Sequence, residues 1–269
     1  MSYAFPPGGL PDQSQTAEGT AVFTDAYAVI PANTQRDIVT SFLPGWTGMR
    51  MWVLARPLSG FAETFSQYAV ELAPGGGTNQ PEEDPDAQSV ILVANGTLKL
   101  NIDGQGHTLS EGGYAYIPPD TIWTIWNDGQ DTAQFHWVRK RYAPAERVDM
   151  PTAFVTSDKD VAPIVMPDCD GVWATTRFVE PTDLRHDMHV NIVTFQPGGR
   201  IPFAETHVME HGLYVLQGTA DYLLNKDWVP VVAGDFMWLR AFCPQACITT
   251  GDGPFRYLLY KDVNRHMPL

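Results

Sequence analysis

Ile91-Leu-Val-Ala-Asn-Gly-Thr-Leu98 returns 122 residues later as Leu213-Tyr-Val-Leu-Gln-Gly-Thr-Ala220. The same offset sets Gly96 on Gly218 and Gly112 on Gly234, and an offset of 123 sets Pro74-Gly-Gly76 on Pro197-Gly-Gly199. Self-similarity at a fixed offset is the signature of a duplicated unit. Outward from these two stretches the chain is a series of short β-branched and aromatic runs. In the first half they are Tyr68–Leu72, Ser89–Val93, Thr97–Ile102 and Gly113–Ile117. In the second they are Val190–Phe195, Leu213–Leu216, Asp235–Leu239 and Arg256–Tyr260, with Gly, Pro, Asn or Asp between them. Such runs read as strands. No stretch sustains a 3.6-residue period over three turns, so the fold class is all-β. The expected organisation is a polar arm over residues 1–20, one β domain over 21–150 and a second over 151–269, with Lys140 to about Asp170 as the crossover.

Composition agrees with that architecture and narrows the partners. The 269 residues are 44% hydrophobic and carry 23 glycines and 22 prolines, too many for a helical bundle. Seventeen basic against 31 acidic side chains give a formal charge of −14, and no Lys/Arg-rich run offers a footprint for a phosphate backbone. Nucleic acid is therefore not an expected partner. No run of about eighteen apolar residues exists to span a membrane, and the start MSYAFPPGGLPDQSQ lacks the basic and apolar regions of a signal peptide. Three cysteines, Cys169, Cys243 and Cys247, are too few for a disulfide framework. Cys243 and Cys247 are half of a zinc site without a second pair, so they read as small buried hydrophobes. The expectation is a cytoplasmic protein with a small-molecule substrate. Covered strand edges point to a homo-oligomer.

The chemistry concentrates in Glu205-Thr-His207-Val-Met-Glu-His211. Side chains two apart on a strand share a face, so Glu205 and His207 project together, and His211 joins them at an even spacing if no turn intervenes. Gly199 precedes Glu205 and Gly218 follows His211 at spacings that frame the three residues. Further on, Gly234 is followed by Arg240 and Gln245. This frame resembles the two motifs of the cupin superfamily. Glu205 and His207 stand at its His-x-His positions, His211 at its Glu position and Gln245 at the His of its second motif. The resemblance implies a bicupin, two jelly-roll type β-barrels in one chain. Two imidazoles, a carboxylate and an amide oxygen suit a harder octahedral ion, manganese or ferrous iron, better than structural zinc. The first repeat keeps the frame but places Glu83, Pro85, Ser89 and Trp123 at the four ligand positions. One carboxylate without imidazoles holds a divalent ion poorly, so the N-terminal cupin is expected to lack metal and the C-terminal one to be active.

A closer resemblance covers nearly the whole chain. Glu205–Gly212, Leu216–Tyr222, Asp227–Pro230, Ala233–Asp235 and Tyr257–Arg265, with Glu111–Pro119 and Lys140–Tyr142 in the first half, are similar to the (S)-ureidoglycine aminohydrolase family of manganese-dependent bicupins. That resemblance implies hydrolytic release of ammonia from (S)-ureidoglycine, giving (S)-ureidoglycolate, in purine (allantoin) catabolism. It implies metal ligands at Glu205, His207, His211 and Gln245, and substrate contacts at Tyr222, Tyr257 and Lys261. Lys261 is then a catalytic residue, as carboxylate clamp or as proton donor. The competing readings are a cupin dioxygenase or decarboxylase of a small carboxylate, and a non-catalytic binding cupin. Oxygen activation usually uses a more imidazole-rich set, and loss of ligands in only one half argues against a mere binding protein.

Three further features are read conservatively. Glu82-Glu-Asp-Pro-Asp86 is a solvated loop rather than a calcium site. His186-Asp187-x-His189 lies outside the ligand frame and suits a supporting or surface role. The eight tryptophans belong to core and interfaces.

Overall fold

Each copy of the repeat folds as a strand, a glycine and a second strand. In the computed structural model, which describes residues 21–35 and 41–262, Ala87–Asn95 is followed by Gly96 and Thr97–Ile102, and His211–Gln217 by Gly218 and Thr219–Leu224. Both glycines sit at φ +80°, in the left-handed region that a side chain resists. A Cβ at Gly218 would stand 2.3 Å from the carbonyl oxygen of Pro254, so the repeated glycine is required by the close approach of the next strand. The arm expected over residues 1–20 and the end of the Tyr257–Arg265 run lie outside the described residues.

The C-terminal half is an eight-stranded antiparallel sheet facing a three-stranded one. The large sheet runs in the order Val22–Phe23, Tyr27–Ile30, Phe236–Leu239, His211–Gln217, Phe255–Asp262, Met188–Phe195, Trp173–Thr176 and Ile164–Val165. The small one is Asp227–Val232, Thr219–Leu224 and Gln245–Thr249. Between them lies a core that includes Phe195, Leu213, Val215, Tyr222, Leu224, Phe255 and Tyr257. Cys243 and Cys247 belong to this core. Burial pushes the Cys247 thiol up to about 12, as fits a packing residue rather than a ligand. The N-terminal half is a nine-stranded sheet closed around a core that includes Leu72, Ile91, Val93, Leu98, Phe135 and Trp137. Two barrels of one design are therefore present. Among the described residues no helix is long and apolar enough to cross a membrane.

The sheets do not divide where the sequence was expected to divide. Val22–Phe23 and Tyr27–Ile30 precede the N-terminal barrel yet complete the C-terminal sheet, with Tyr27 paired to Leu239. Phe154–Ser157 lies beyond residue 150 yet pairs with Gly113–Ile117 of the N-terminal sheet. Each half thus lends strand to the other. A third core, which includes Leu92, Tyr116 and Val138 from one half and Val190, Trp238 and Tyr260 from the other, fills the space between the barrels.

Candidate metal and active site

Glu205 is placed by a two-residue bridge. Its N–H donates to the Gln245 carbonyl and the Gln245 N–H returns to its own, both at 2.9 Å, so the carboxylate and the amide are neighbours by backbone pairing. The chain then bends at Val208 and Met209 before His211 opens the strand His211–Gln217. A turn does intervene, so the three residues do not share one strand face. They meet because the loop folds back, with the Phe242 N–H donating to the His207 carbonyl at 2.6 Å.

The side chains converge nonetheless. His207 Nε2 lies 3.4 Å from Glu205 Oε1, Gln245 Nε2 lies 3.4 Å from the same oxygen, and Gln245 Nε2 is 3.5 Å from His211 Nδ1. The two imidazole centroids are 5.0 Å apart. His211 is buried and its Nε2 has no hydrogen-bond partner. Burial, with His207 and Lys261 adding to it, lowers its pKa to about 3, so its imidazole is neutral as a metal donor must be. Among the described residues no group of three His, Cys, Asp or Glu side chains is gathered closely enough to hold a metal ion. The Nε2 of Gln245 faces Glu205 and His211 while its Oε1 faces Tyr222, so the amide would have to turn over to offer an ion its oxygen. With that turn, a carboxylate, an amide oxygen and two imidazoles, the buried one with an orphaned Nε2, fit a divalent cation.

These four residues line one cavity of about 140 Å³, together with Tyr257, Lys261, Arg177, Asn191, Trp173 and Met209. Arg177 and Lys261 are its two cations. Lys261 follows from the pairing of Phe255–Asp262 with His211–Gln217, which sets Lys261 opposite His211. Burial lowers its pKa and the guanidinium of Arg177 adds to that effect. Asn191 is buried with its Oδ1 unpartnered.

Tyr222 has a different place from the one inferred for it. It does not line the cavity; it is fully buried behind Gln245, donating to Gln245 Oε1 at 3.2 Å and to the Tyr257 hydroxyl at 3.5 Å. Tyr257 is the tyrosine on the wall. Sequence reading missed Arg177 and Asn191. Both precede the motif outside its frame, Asn191 on Met188–Phe195 and Arg177 directly after Trp173–Thr176.

Of the matching positions in the N-terminal barrel, Glu83 and Pro85 are exposed and Ser89 and Trp123 are buried in packing. Ser89 accepts from the Trp137 indole at 3.0 Å, and buried Trp123 meets Trp137 edge-on at 6.0 Å. Glu82 and Asp84 of the acidic run pair with Arg139 and Arg141 rather than standing free in solvent. His186, Asp187 and His189 are all buried, so they are not surface residues. Asp187 accepts from Gln88, Lys140 and the Ala143 N–H of the other half.

A family model described as Cupin domain matches residues 68–139 and again 191–260. The (S)-ureidoglycine aminohydrolase of Escherichia coli is 31% identical over 88% of this chain and 89% of its own. A crystal structure from Pseudomonas aeruginosa, named for induction by glyoxylate, is 62% identical with a TM-score of 0.91, covering 100% of this chain and 98% of that one. The crystal structure of protein Ylba from E. coli has a TM-score of 0.82 at 27% identity, covering 96% of this chain and 100% of its own. With the Cupin domain matched twice and this likeness along most of its length, the chain belongs to the (S)-ureidoglycine aminohydrolase family of bicupin enzymes.

Proposed function

We propose that the protein hydrolyses (S)-ureidoglycine to (S)-ureidoglycolate and ammonia in purine breakdown, with manganese held by Glu205, His207, His211 and Gln245. The observation that carries this reading is the convergence of that donor set with two cations on one cavity. The substrate is a carboxylate whose central carbon bears an amine and a ureido group. When bound, a divalent ion supplies Lewis acidity and lowers the pKa of a water.

The protein residues do the rest. Arg177 and Lys261 offer the carboxylate two positive charges in a chain of net charge −14, and fixing that end aims the carbon at the ligand set. The Tyr257 hydroxyl, on the same wall, hydrogen-bonds the ureido end, and two fixed ends select one face of the carbon. Asn191 has an unsatisfied amide oxygen to accept from a substrate N–H. In the reaction the carbon–amine bond breaks, a carbon–oxygen bond to water forms, and the departing amine takes a proton as ammonia. Trp173, Met209 and Leu213 close the cavity with apolar surface, which strengthens each polar contact inside.

The experiment supplies freshly generated ureidoglycine to manganese-loaded protein and follows ammonia, ureidoglycolate and dissolved oxygen together. Ammonia and ureidoglycolate in equal amounts without oxygen uptake is the expected result. Oxygen consumption with a small carbon acid, and no ammonia, would replace this reading by the dioxygenase one.

A further inference from the structure

Glu210 stands between His207 and His211 in the sequence, and the structure makes it a junction of both halves. It is 7% exposed, and its carboxylate accepts four hydrogen bonds. They come from the Glu63 N–H at 2.6 Å, the Thr64 N–H at 2.9 Å, the Thr64 hydroxyl at 2.5 Å and the Trp238 indole at 2.6 Å. Three of these donors belong to one turn of the N-terminal half. The Glu210 N–H in turn donates to Asp262 Oδ1 at 2.8 Å, one residue past Lys261.

The same turn grips the neighbouring strands. A Cβ on Gly212, the residue after His211, would stand 2.5 Å from the Phe65 ring. Phe65 stacks on Tyr260 at 3.9 Å, and the Thr64 and Tyr260 hydroxyls are 2.9 Å apart. The segment Glu63–Phe65 therefore touches the ligand loop, the His211 strand and the Lys261 strand at once.

We infer that the N-terminal barrel is a positioning partner of the metal site, and that Glu210 is the positioning residue through which it fixes the loop from His207 to His211. The inference rests on the reading of Glu205, His207, His211 and Gln245 as metal ligands. The loop bends at Val208 and Met209 and has little ladder of its own, so the buried carboxylate is its fixed point before His211. Four donors saturate an ionised carboxylate, whereas glutamine would turn an NH₂ group towards N–H donors it cannot accept from. Outer partners of metal ligands typically change affinity by about 10- to 100-fold when removed.

The test titrates metal-stripped full-length protein with Mn²⁺, following free Mn²⁺ by electron paramagnetic resonance, for wild type, Glu210→Gln and Thr64→Val. Hydrogen exchange of residues 205–211 is measured on the same stripped proteins. Arg256→Met, which breaks the half-to-half ion pair with Asp158 at the opposite end of Phe255–Asp262 from Lys261, controls for general loosening. Glu210→Gln is expected to weaken Mn²⁺ binding by about 10- to 100-fold, and Thr64→Val by a smaller factor. Both should speed exchange in the loop, with Arg256→Met leaving affinity within about twofold. A folded Glu210→Gln of wild-type affinity overturns the inference, as does an equal loss in Arg256→Met. If Glu210→Gln fails to fold, Thr64→Val decides, and unchanged affinity there overturns it. Wild type that binds no Mn²⁺ would sink the metal reading and this inference with it; tight wild-type binding with unaltered variants sinks the inference alone.

Discussion

The Tyr222 hydroxyl donates to Gln245 Oε1 across 3.2 Å, from a position with no solvent exposure, so the barrel core holds the amide with its Nε2 towards Glu205 and His211. When the amide turns its oxygen to an ion the same hydroxyl can accept from its NH₂, so removing it loosens the amide in either orientation. Tyr222→Phe is expected to cost about 1 kcal/mol of stability and about tenfold in metal affinity. Denaturant unfolding and a Mn²⁺ titration measure the two effects separately. A loss of stability with unchanged affinity would return Tyr222 to plain packing.

Arg177 and Lys261 line the cavity with Glu205, His207, His211 and Gln245 but stand outside the proposed ligand set. Arg177→Met should raise KM at least tenfold with little change in kcat, because it removes a contact to a part of the substrate that does not react. Lys261→Ala should keep the metal and impair turnover. Steady-state kinetics beside metal analysis checks both, and a Lys261→Ala enzyme of normal activity would take that residue out of the site.

Lys140 and Asp187 form an ion pair between the halves, with side chains 8% and 0% exposed. Lys140→Met leaves the Asp187 carboxylate buried with Gln88 and the Ala143 N–H alone. Breaking a buried pair from one side costs about 3–5 kcal/mol. Urea denaturation reads that loss directly; a change below about 1 kcal/mol would show that the pair behaves as a surface one.

The His136 ring meets that of Tyr214 at a tilt of 52°, centroids 4.2 Å apart, beside a cleft of about 440 Å³ between the barrels, and its Nδ1 is unpartnered. Burial lowers its pKa to about 4, against an ordinary 6.5. The unfolded chain therefore takes up a proton that the folded one refuses. Stability from this group is complete above pH 6.5 and is lost as the pH falls towards 4, by about 3 kcal/mol in all. His136→Phe keeps the ring and removes the titration, so its stability should fall less steeply between pH 6.5 and 4 than that of wild type. Parallel curves would assign the acid sensitivity elsewhere.

The fold was legible because duplication repeats the same constraints: Gly96 and Gly218 share a left-handed φ that only their turn demands. That Glu205, His207, His211 and Gln245 line one cavity was legible for a related reason, since their spacing to Gly199, Gly218 and Gly234 follows the repeated frame. The basis given for their convergence was not right, as the bend at Val208 and Met209 shows. The exchange of strands between the halves was hidden, because Tyr27 meets Leu239 only in the folded chain and local pattern says nothing of partners. Arg177 and Asn191 were hidden likewise. Glu210 was hidden by distance, its donors lying 147 residues away at Glu63 and 146 at Thr64.

The most direct measurement of the central claim joins metal content to ammonia release. Wild type and His211→Ala are stripped, reloaded with manganese and supplied with freshly generated ureidoglycine. The account predicts one ion per chain and ammonia release in reloaded wild type, no release from stripped wild type, and neither ion nor release in His211→Ala. Ammonia released by stripped wild type or by His211→Ala, or a second ion held by the N-terminal barrel, would contradict it.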